Sequence, residues 1–358
     1  MKVMIDATPM LVRSAGVKSY LHHWIEALRE SAGARALATW PELPSGATLD
    51  HERSPLPPLA TFGHLARAAL ARAGLWPPAR CGADIFHVSN LVRQAPRRAR
   101  VTATLHDLTC RLLPECHSRA NIEADDAFAA EVLTRAAAVV AISEHTRRDA
   151  IRILRLRPEL VHTIHPGVSG AYFQEPAAET DSRPYVLFTG AVEPRKNLDR
   201  LLDAWLALPR DYRRAFELRV AGPRGWQAEA TEARLRATEG VRRLGYVPEA
   251  ELPALFRGAA LFVYPSLYEG FGLPVAQAMA SGVAVLTSNV SSLPEVAGGG
   301  AEYVNPRSAM DLAAALRRLL DDPARRAALG QAGRARAERF RWARCAAASW
   351  RLFESLAG

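Results

Sequence analysis

Short apolar runs alternate with longer stretches whose apolar residues recur at helical spacing along most of the chain. That alternation predicts repeated β-α units feeding parallel sheets. In the first half it places strands near Lys2–Asp6, Ile85–Val88, Thr102–Leu105, Val139–Ile142 and Val161–Ile164. Tyr172–Pro184, with two prolines and several acids, reads as a linker. The alternation then restarts, with strands near Tyr185–Thr189, Glu217–Ala221, Arg242–Leu244, Leu261–Tyr264 and Ala284–Thr287. The tail Pro323–Leu356 is helical in pattern, punctuated by Gly330 and Gly333, with Phe340 and Trp342 as packing anchors. The expected fold class is α/β, with two doubly wound domains at 1–175 and 183–340 and a last helix at 341–358.

The length of 358 residues suits two domains that each bury a real core. The formal charge of +9, carried mostly by Arg, suits anionic partners such as nucleotides or an anionic membrane surface. No aromatic-basic recognition motif accompanies it, so nucleic acid is not an expected partner. Asp6 interrupts the apolar run of MKVMIDATPML, which reads as a strand and not a signal peptide. No apolar run approaches the roughly 20 residues that span a bilayer. These features, with Cys81, Cys110, Cys116 and Cys345 read as free thiols, point to the cytoplasm. From Arg53 to Arg100 there are eight Arg and one acid, Asp84. Within that stretch Phe62–Leu75 fits a basic amphipathic helix at a membrane surface, and equally a helix packed on the first domain.

Two turns carry chemistry. In the first, Gly190-Ala-Val-Glu-Pro-Arg195-Lys196-Asn197 follows a strand and precedes the helical stretch Leu198–Leu208. Adjacent cations beside a helix N-terminus make a diphosphate site, with Arg195 bridging oxygens and Lys196 acting as a point charge. In the second, Tyr268-Glu269-Gly270-Phe271-Gly272-Leu273-Pro274 follows the strand ending at Tyr264. It projects one carboxylate beside glycines that let backbone approach a ligand, and it opens a helix whose N–H groups favour a phosphate or polarised hydroxyls. No Asp-x-Asp pair lies in a strand-to-helix loop, and His106, Cys110, Cys116 and His117 match no zinc spacing. Fixed positive groups can stabilise a departing diphosphate as a metal does, so neither a metal nor another cofactor is expected.

The run from Glu269 to Pro274 resembles the E-x7-E signature of glycosyltransferase family 4, retaining enzymes of the GT-B fold, with Gln277 in place of the second Glu. The resemblance covers nearly the whole chain and implies two Rossmann-like domains with parallel sheets and a cleft between them. It implies that Glu269 holds the donor's sugar hydroxyls, that Gly270, Phe271, Gly272 and Leu273 add backbone contacts, and that position 277 meets the ribose. His106, in the strand-end run Thr104-Leu-His-Asp107, would reach the donor sugar near the reacting carbon. Gly16 would face the diphosphate, as would Gly190 beside Arg195 and Lys196. Val220-Ala-Gly222 and Leu244-Gly-Tyr246-Val247 would face the nucleotide, the last two reading the base.

The implied activity is transfer of a hexose from a nucleoside diphosphate sugar to a hydroxyl of a saccharide or lipid-linked saccharide. GDP-mannose is the expected donor, because the run Tyr268–Gly282 with Ser291–Ala297 looks most like bacterial mannosyltransferases of surface-polysaccharide assembly. Other UDP-, dTDP- and GDP-sugars stay open. A sugar-nucleotide epimerase would need acid-base residues on both faces of the sugar, which the sequence does not place. A non-catalytic sugar-nucleotide binder would follow if Gln277 disables the signature.

Overall fold

Central strands here, such as Tyr185–Thr189 and Leu261–Tyr264, are apolar and buried on both faces, the pattern of parallel sheets covered by helices on either side. The computed structural model describes residues 1–357 apart from 15, 45, 47–48, 74, 76–81, 90–97 and 175–182. Trp76, Cys81 and most of the expected linker therefore lie outside the described residues. The chain divides into two units, the first comprising Met1–Arg111, Arg119–Gly167 and Trp342–Gly358, the second Leu112–Ser118 and Val168–Arg341.

The first unit runs β1 (Lys2–Asp6), α1 (Gly16–Glu30), β2 (Ala36–Trp40), α2 (Pro58–Arg72), β3 (Ile85–Ser89) and β4 (Arg100–Leu105). It continues with α3 (Thr109–Leu112), α4 (Arg119–Glu131), β5 (Ala138–Ala141), α5 (Glu144–Ile153) and β6 (Val161–Thr163). Its sheet is parallel, in the order β2-β1-β3-β4-β5-β6. The second unit begins β7 (Tyr185–Thr189), α6 (Leu198–Ala207), α7 (Arg210–Ala215), β8 (Glu217–Ala221), α8 (Glu229–Ala237), β9 (Val241–Gly245) and α9 (Leu252–Arg257). It goes on with β10 (Leu261–Tyr264), α10 (Leu273–Ala280), β11 (Val285–Ser288), α11 (Leu293–Ala297), β12 (Ala301–Val304), α12 (Ala309–Asp321) and α13 (Pro323–Ala337). Its parallel order is β12-β11-β10-β7-β8-β9.

In each sheet the strand order reverses once, between β1 and β3 in the first unit and between β7 and β10 in the second. Ligands of open parallel sheets bind beyond the carboxyl ends of the strands at such a reversal. The two turns singled out for their chemistry follow β7 and β10, the pair that flanks the reversal of the second unit.

The last helix, α14 (Trp342–Ala357), belongs to the first unit and lies along α1. Buried Trp24 donates to Ser349 Oγ at 3.0 Å, and Trp350 donates to the Leu28 carbonyl at 3.3 Å. Each such ring contributes roughly 1.5–3 kcal/mol by burial.

Two strands escape the apolar pattern. β2 (ALATW) is a half-exposed edge strand, and β12 (AEYV) is a short edge strand with polar residues in it, so neither presents a continuous apolar run. Nor do Gly330 and Gly333 punctuate a helix, for α13 runs through both. A Cβ at Gly330 would lie 2.2 Å from the Gly282 carbonyl oxygen, so this glycine permits close packing and does not end an element. The break instead falls between Phe340, whose ring meets Phe271 in the second unit, and Trp342, which stacks on His23 in the first.

Candidate active site

After β7 the chain turns through Gly190, makes a short 3-10 turn at Pro194–Lys196, and enters α6 through Asn197. Asn197 takes a left-handed conformation (φ 61°) and clamps the turn, donating from Nδ2 to the carbonyls of Pro265 (2.9 Å) and Pro306 (2.7 Å). Leu267 N donates to the Arg195 carbonyl at 2.9 Å, so the loops after β7 and β10 are joined backbone to backbone.

This joining brings Arg195, Lys196 and Glu269 together. Glu269 Oε1 accepts from Lys196 Nζ at 2.7 Å and from the Tyr264 hydroxyl at 3.0 Å, while Oε2 pairs with an Arg195 guanidinium nitrogen at 2.9 Å. Lys196 also donates to the Tyr264 hydroxyl at 2.6 Å, and Arg195 reaches the Tyr268 carbonyl and Glu193 Oε1 at 2.9 and 2.7 Å. All four charged groups are largely buried. Burial pushes the Glu269 carboxyl up, but Arg195 and Lys196 outweigh it and hold the group at about 2. It is therefore a carboxylate at every ordinary pH, an acceptor for hydroxyl groups and not an acid.

The backbone of Glu269 is pinned as well. Its N–H donates to Ser291 Oγ at 3.0 Å, and its carbonyl accepts from Ser292 Oγ at 2.8 Å. Gly272 caps α10 at φ 89°, where a Cβ would lie 2.6 Å from Leu293 Cδ2, so only glycine closes the turn. Gly270 and Phe271 are buried in this turn, and Leu273 is the first residue of α10. Gly190 and Gly222 meet across the next strand pair, with Gly190 N donating to Ala221 O, and a Cβ at Gly222 would overlap the Gly190 carbonyl. Tyr246 is exposed and Val247 half-buried just beyond β9.

Gln277, in the second turn of α10, donates from Nε2 to the Tyr172 hydroxyl at 3.0 Å. That hydroxyl donates in turn to Glu249 Oε1 at 3.4 Å. Tyr172, one end of the expected linker, is thus a buried part of the second unit.

The first unit holds the other two candidates. His106, just past β4, is half-buried, its Nε2 at 2.9 Å from Ser89 Oγ and its ring edge-on to Tyr20 at 5.1 Å. Burial lowers its pKa to about 4 against the opposing pull of Asp107, so the imidazole is neutral near pH 7. Gly16 opens α1, and no described atom lies within 4 Å of a Cβ built there. Cys116 and His117 belong to the second unit while His106 and Cys110 belong to the first. No group of three or more His, Cys, Asp or Glu among the described residues is arranged to hold a metal ion.

Sequence reasoning did not single out Glu193, Tyr264, Ser291 or Ser292. Glu193 had a signal, an acid two residues before an Arg-Lys pair. The other three act through tertiary contacts that no spacing records.

Two family models match the chain, Glycosyltransferase Family 4 over residues 14–170 and Glycosyl transferases group 1 over residues 173–336. The chain is 34% identical over 274 residues to the O-antigen chain mannosyltransferase B of Escherichia coli, covering 73% of this chain and 71% of that relative. It is 33% identical over 224 residues to the MMP alpha-(1->4)-mannosyltransferase of Mycolicibacterium hassiacum, covering 60% of this chain and 53% of the relative. Among solved structures, the sucrose-phosphate synthase of Thermosynechococcus elongatus shares the fold at a TM-score of 0.74 and 21% identity, over 99% of this chain and 98% of that one. Anabaena Alr3699/HepE in complex with UDP-glucose does so at 0.72 and 17%, over 99% and 100%.

Proposed function

Because the chain belongs to glycosyltransferase family 4 and has the GT-B fold, we propose that it moves a hexose from a nucleoside diphosphate sugar to a saccharide hydroxyl with retention of anomeric configuration. The observation that carries this reading is one carboxylate, Glu269, held ionised between two buried cations at the strand-order reversal of the second unit.

Glu269 accepts hydrogen bonds from hydroxyls of the donor sugar. Arg195 and Lys196 stabilise the charge that develops on the diphosphate as the bond from the anomeric carbon to phosphate oxygen breaks. The acceptor oxygen bonds to the anomeric carbon on the face the diphosphate leaves, and its proton passes to a phosphate oxygen. Neutral His106 contributes a hydrogen bond near the reacting carbon, and Gly16 leaves space for the diphosphate. Tyr246 and Val247 flank the base, and Gln277 meets the ribose through its amide. The cations supply the charge that a metal would otherwise bring, so the reaction runs without one.

Mannose from GDP-mannose is the donor we favour, in line with the mannosyltransferases among the relatives, and the product then belongs to a surface polysaccharide or glycolipid. The protein works in the cytoplasm, with α2 resting on the inner face of the plasma membrane. No described helix is long and apolar enough to cross a membrane. On α2, however, Leu59 and Phe62 are 87% and 73% exposed, and the helix carries Arg67 and no acid. It begins at Pro58, four residues earlier than the sequence pattern suggests, because Pro58 suits the first helical position.

The test is a transfer reaction with GDP-mannose, an oligosaccharide acceptor and excess chelator, followed by proton NMR of the product. An α-linked mannoside formed without metal supports the proposal. A β-linked product overturns retention, and hydrolysis or transfer only in Gln277→Glu marks the wild type as a non-catalytic binder.

A further inference from the structure

Glu193 belongs to the charged cluster, yet the transfer reaction above gives it no part. It starts the short turn after β7 in extended conformation, and its side chain is 4% exposed. The backbone beneath it is fixed by the loop after β8. Val192 N donates to the Pro223 carbonyl at 3.0 Å, and Gly225 N donates to the Val192 carbonyl at 3.1 Å. A Cβ at Gly225 would lie 2.7 Å from the Val192 carbonyl oxygen and 3.3 Å from Glu193 Cβ, so the two loops meet as closely as glycine permits. The Glu193 carbonyl accepts from Lys196 N at 3.1 Å and closes the turn.

Glu193 Oε1 accepts from Arg195 Nη2 at 2.7 Å. Arg195 Nη1 faces the Tyr268 carbonyl and Glu269 Oε2, both at 2.9 Å, and these two acceptors account for its two protons. A guanidinium grips two phosphate oxygens through Nη1 and Nη2 or through Nε and Nη2. Either grip uses Nη2, the nitrogen that Glu193 holds.

Charge leads to the same residue. Two cations and two carboxylates cancel, so an arriving diphosphate meets a cluster with no net charge. Glu269 is bound to Lys196, Tyr264 and Arg195. The Tyr268 carbonyl and Glu269 already orient the guanidinium, so orientation alone does not call for another buried carboxylate, which is costly to desolvate. With Glu193 displaced, the cluster keeps one positive charge for the diphosphate.

We propose that Glu193 is the resident counterion of Arg195, displaced from Nη2 by the donor's diphosphate and recapturing the guanidinium as the nucleoside diphosphate leaves. Glu193 acts through Arg195 as a positioning residue, and its charge sets how tightly the product is held. The proposal rests on the transferase reading above.

The test is calorimetry of the full chain with GDP, UDP, dTDP, ADP and inorganic pyrophosphate, in the wild type and three variants. Glu193→Gln removes the charge but keeps an oxygen that accepts from Arg195, Glu193→Ala removes both, and Glu193→Asp keeps the charge. Thermal unfolding without ligand reports on the fold of each. The nucleoside diphosphate that the wild type binds should be held at least about tenfold more tightly by the Gln and Ala variants. Glu193→Asp should stay near the wild type. In transfer assays the KM for the donor and kcat should fall together in Glu193→Gln, as slower product release requires. Unchanged or weaker diphosphate binding in Glu193→Gln, or equal tightening in Glu193→Asp, overturns the proposal and leaves the transferase reading standing. Pyrophosphate held more tightly by Glu193→Gln, with no nucleoside diphosphate bound, keeps the counterion and sinks the donor reading instead. No binding of any of these anions overturns both.

Discussion

In the second unit the strand ends carry Arg195, Lys196, Glu193 and Glu269, which neutralise one another within hydrogen-bond distance, whereas in the first unit the strand ends at β3 and β4 carry Ser89 and an uncharged His106. Desolvation disfavours the charged form in both, yet the outcome differs. In the second unit two cations overcome desolvation and keep a carboxylate charged. In the first no partner does so for His106, or for His87 between the hydroxyls of Thr102 and Thr104, and burial lowers them to about 4 and about 3. The difference is one of charge at the strand ends, a paired ion cluster in the second unit and neutral hydrogen-bonding groups in the first.

The largest effects come from breaking the charged cluster. Arg195→Ala and Lys196→Ala each lower kcat by about 10²–10³-fold, the cost of one preorganised charge-stabilising group. Glu269→Ala abolishes measurable transfer and also takes from buried Lys196 its carboxylate and from Arg195 one of two, which costs about 3–5 kcal/mol in thermal unfolding. Transfer retained in Glu269→Ala would remove that residue from the site.

Acidification separates the units. The folded pKa values of His87 and His106 lie below the ordinary 6.5, so the unfolded chain binds more protons once pH falls below 6.5. Their contribution is complete above pH 6.5 and declines toward pH 4 for His106 and pH 3 for His87, by up to about 1.4 kcal/mol per pH unit for each. Glu269 contributes fully above 4.5 and loses its share between 4.5 and about 2. Unfolding melts between pH 6.5 and 4.5 should therefore slope steeply in the wild type and less in His87→Leu. A slope the variant does not change would contradict the neutral assignment.

Smaller effects follow at the edges of the two units. Phe62→Asp on α2 should cut sedimentation with anionic phospholipid vesicles several-fold while leaving transfer to a soluble acceptor intact. Equal sedimentation would leave α2 without a membrane role. Gln277→Glu would set a second carboxylate against the single proton of the Tyr172 hydroxyl, already shared with Glu249. It should lower stability by about 1 kcal/mol and change the Kd for GDP by no more than a few-fold, as measured by calorimetry.

The contrast also explains what the sequence revealed. Strands such as Tyr185–Thr189 and Leu261–Tyr264 were legible to the residue, because a central parallel strand is marked by a largely apolar run buried on both faces. Edge strands β2 and β12 were not, although the equally exposed edge strand β9 was. Arg195, Lys196 and Glu269 were legible because each lies in a short turn of distinctive composition. That they form one ion cluster was not, since the contact spans 73 residues and depends on the pairing of β7 with β10.

The central claim is that the charged cluster of the second unit binds a nucleoside diphosphate without a metal. Thermal unfolding of the wild type and of Arg195→Ala, with GDP, UDP, dTDP or ADP in excess chelator, tests it most directly. The account predicts that one diphosphate at 100 times its Kd adds about 2.7 kcal/mol to the wild type and almost nothing to the variant. Stabilisation that requires magnesium or manganese, or that survives undiminished in Arg195→Ala, would contradict it.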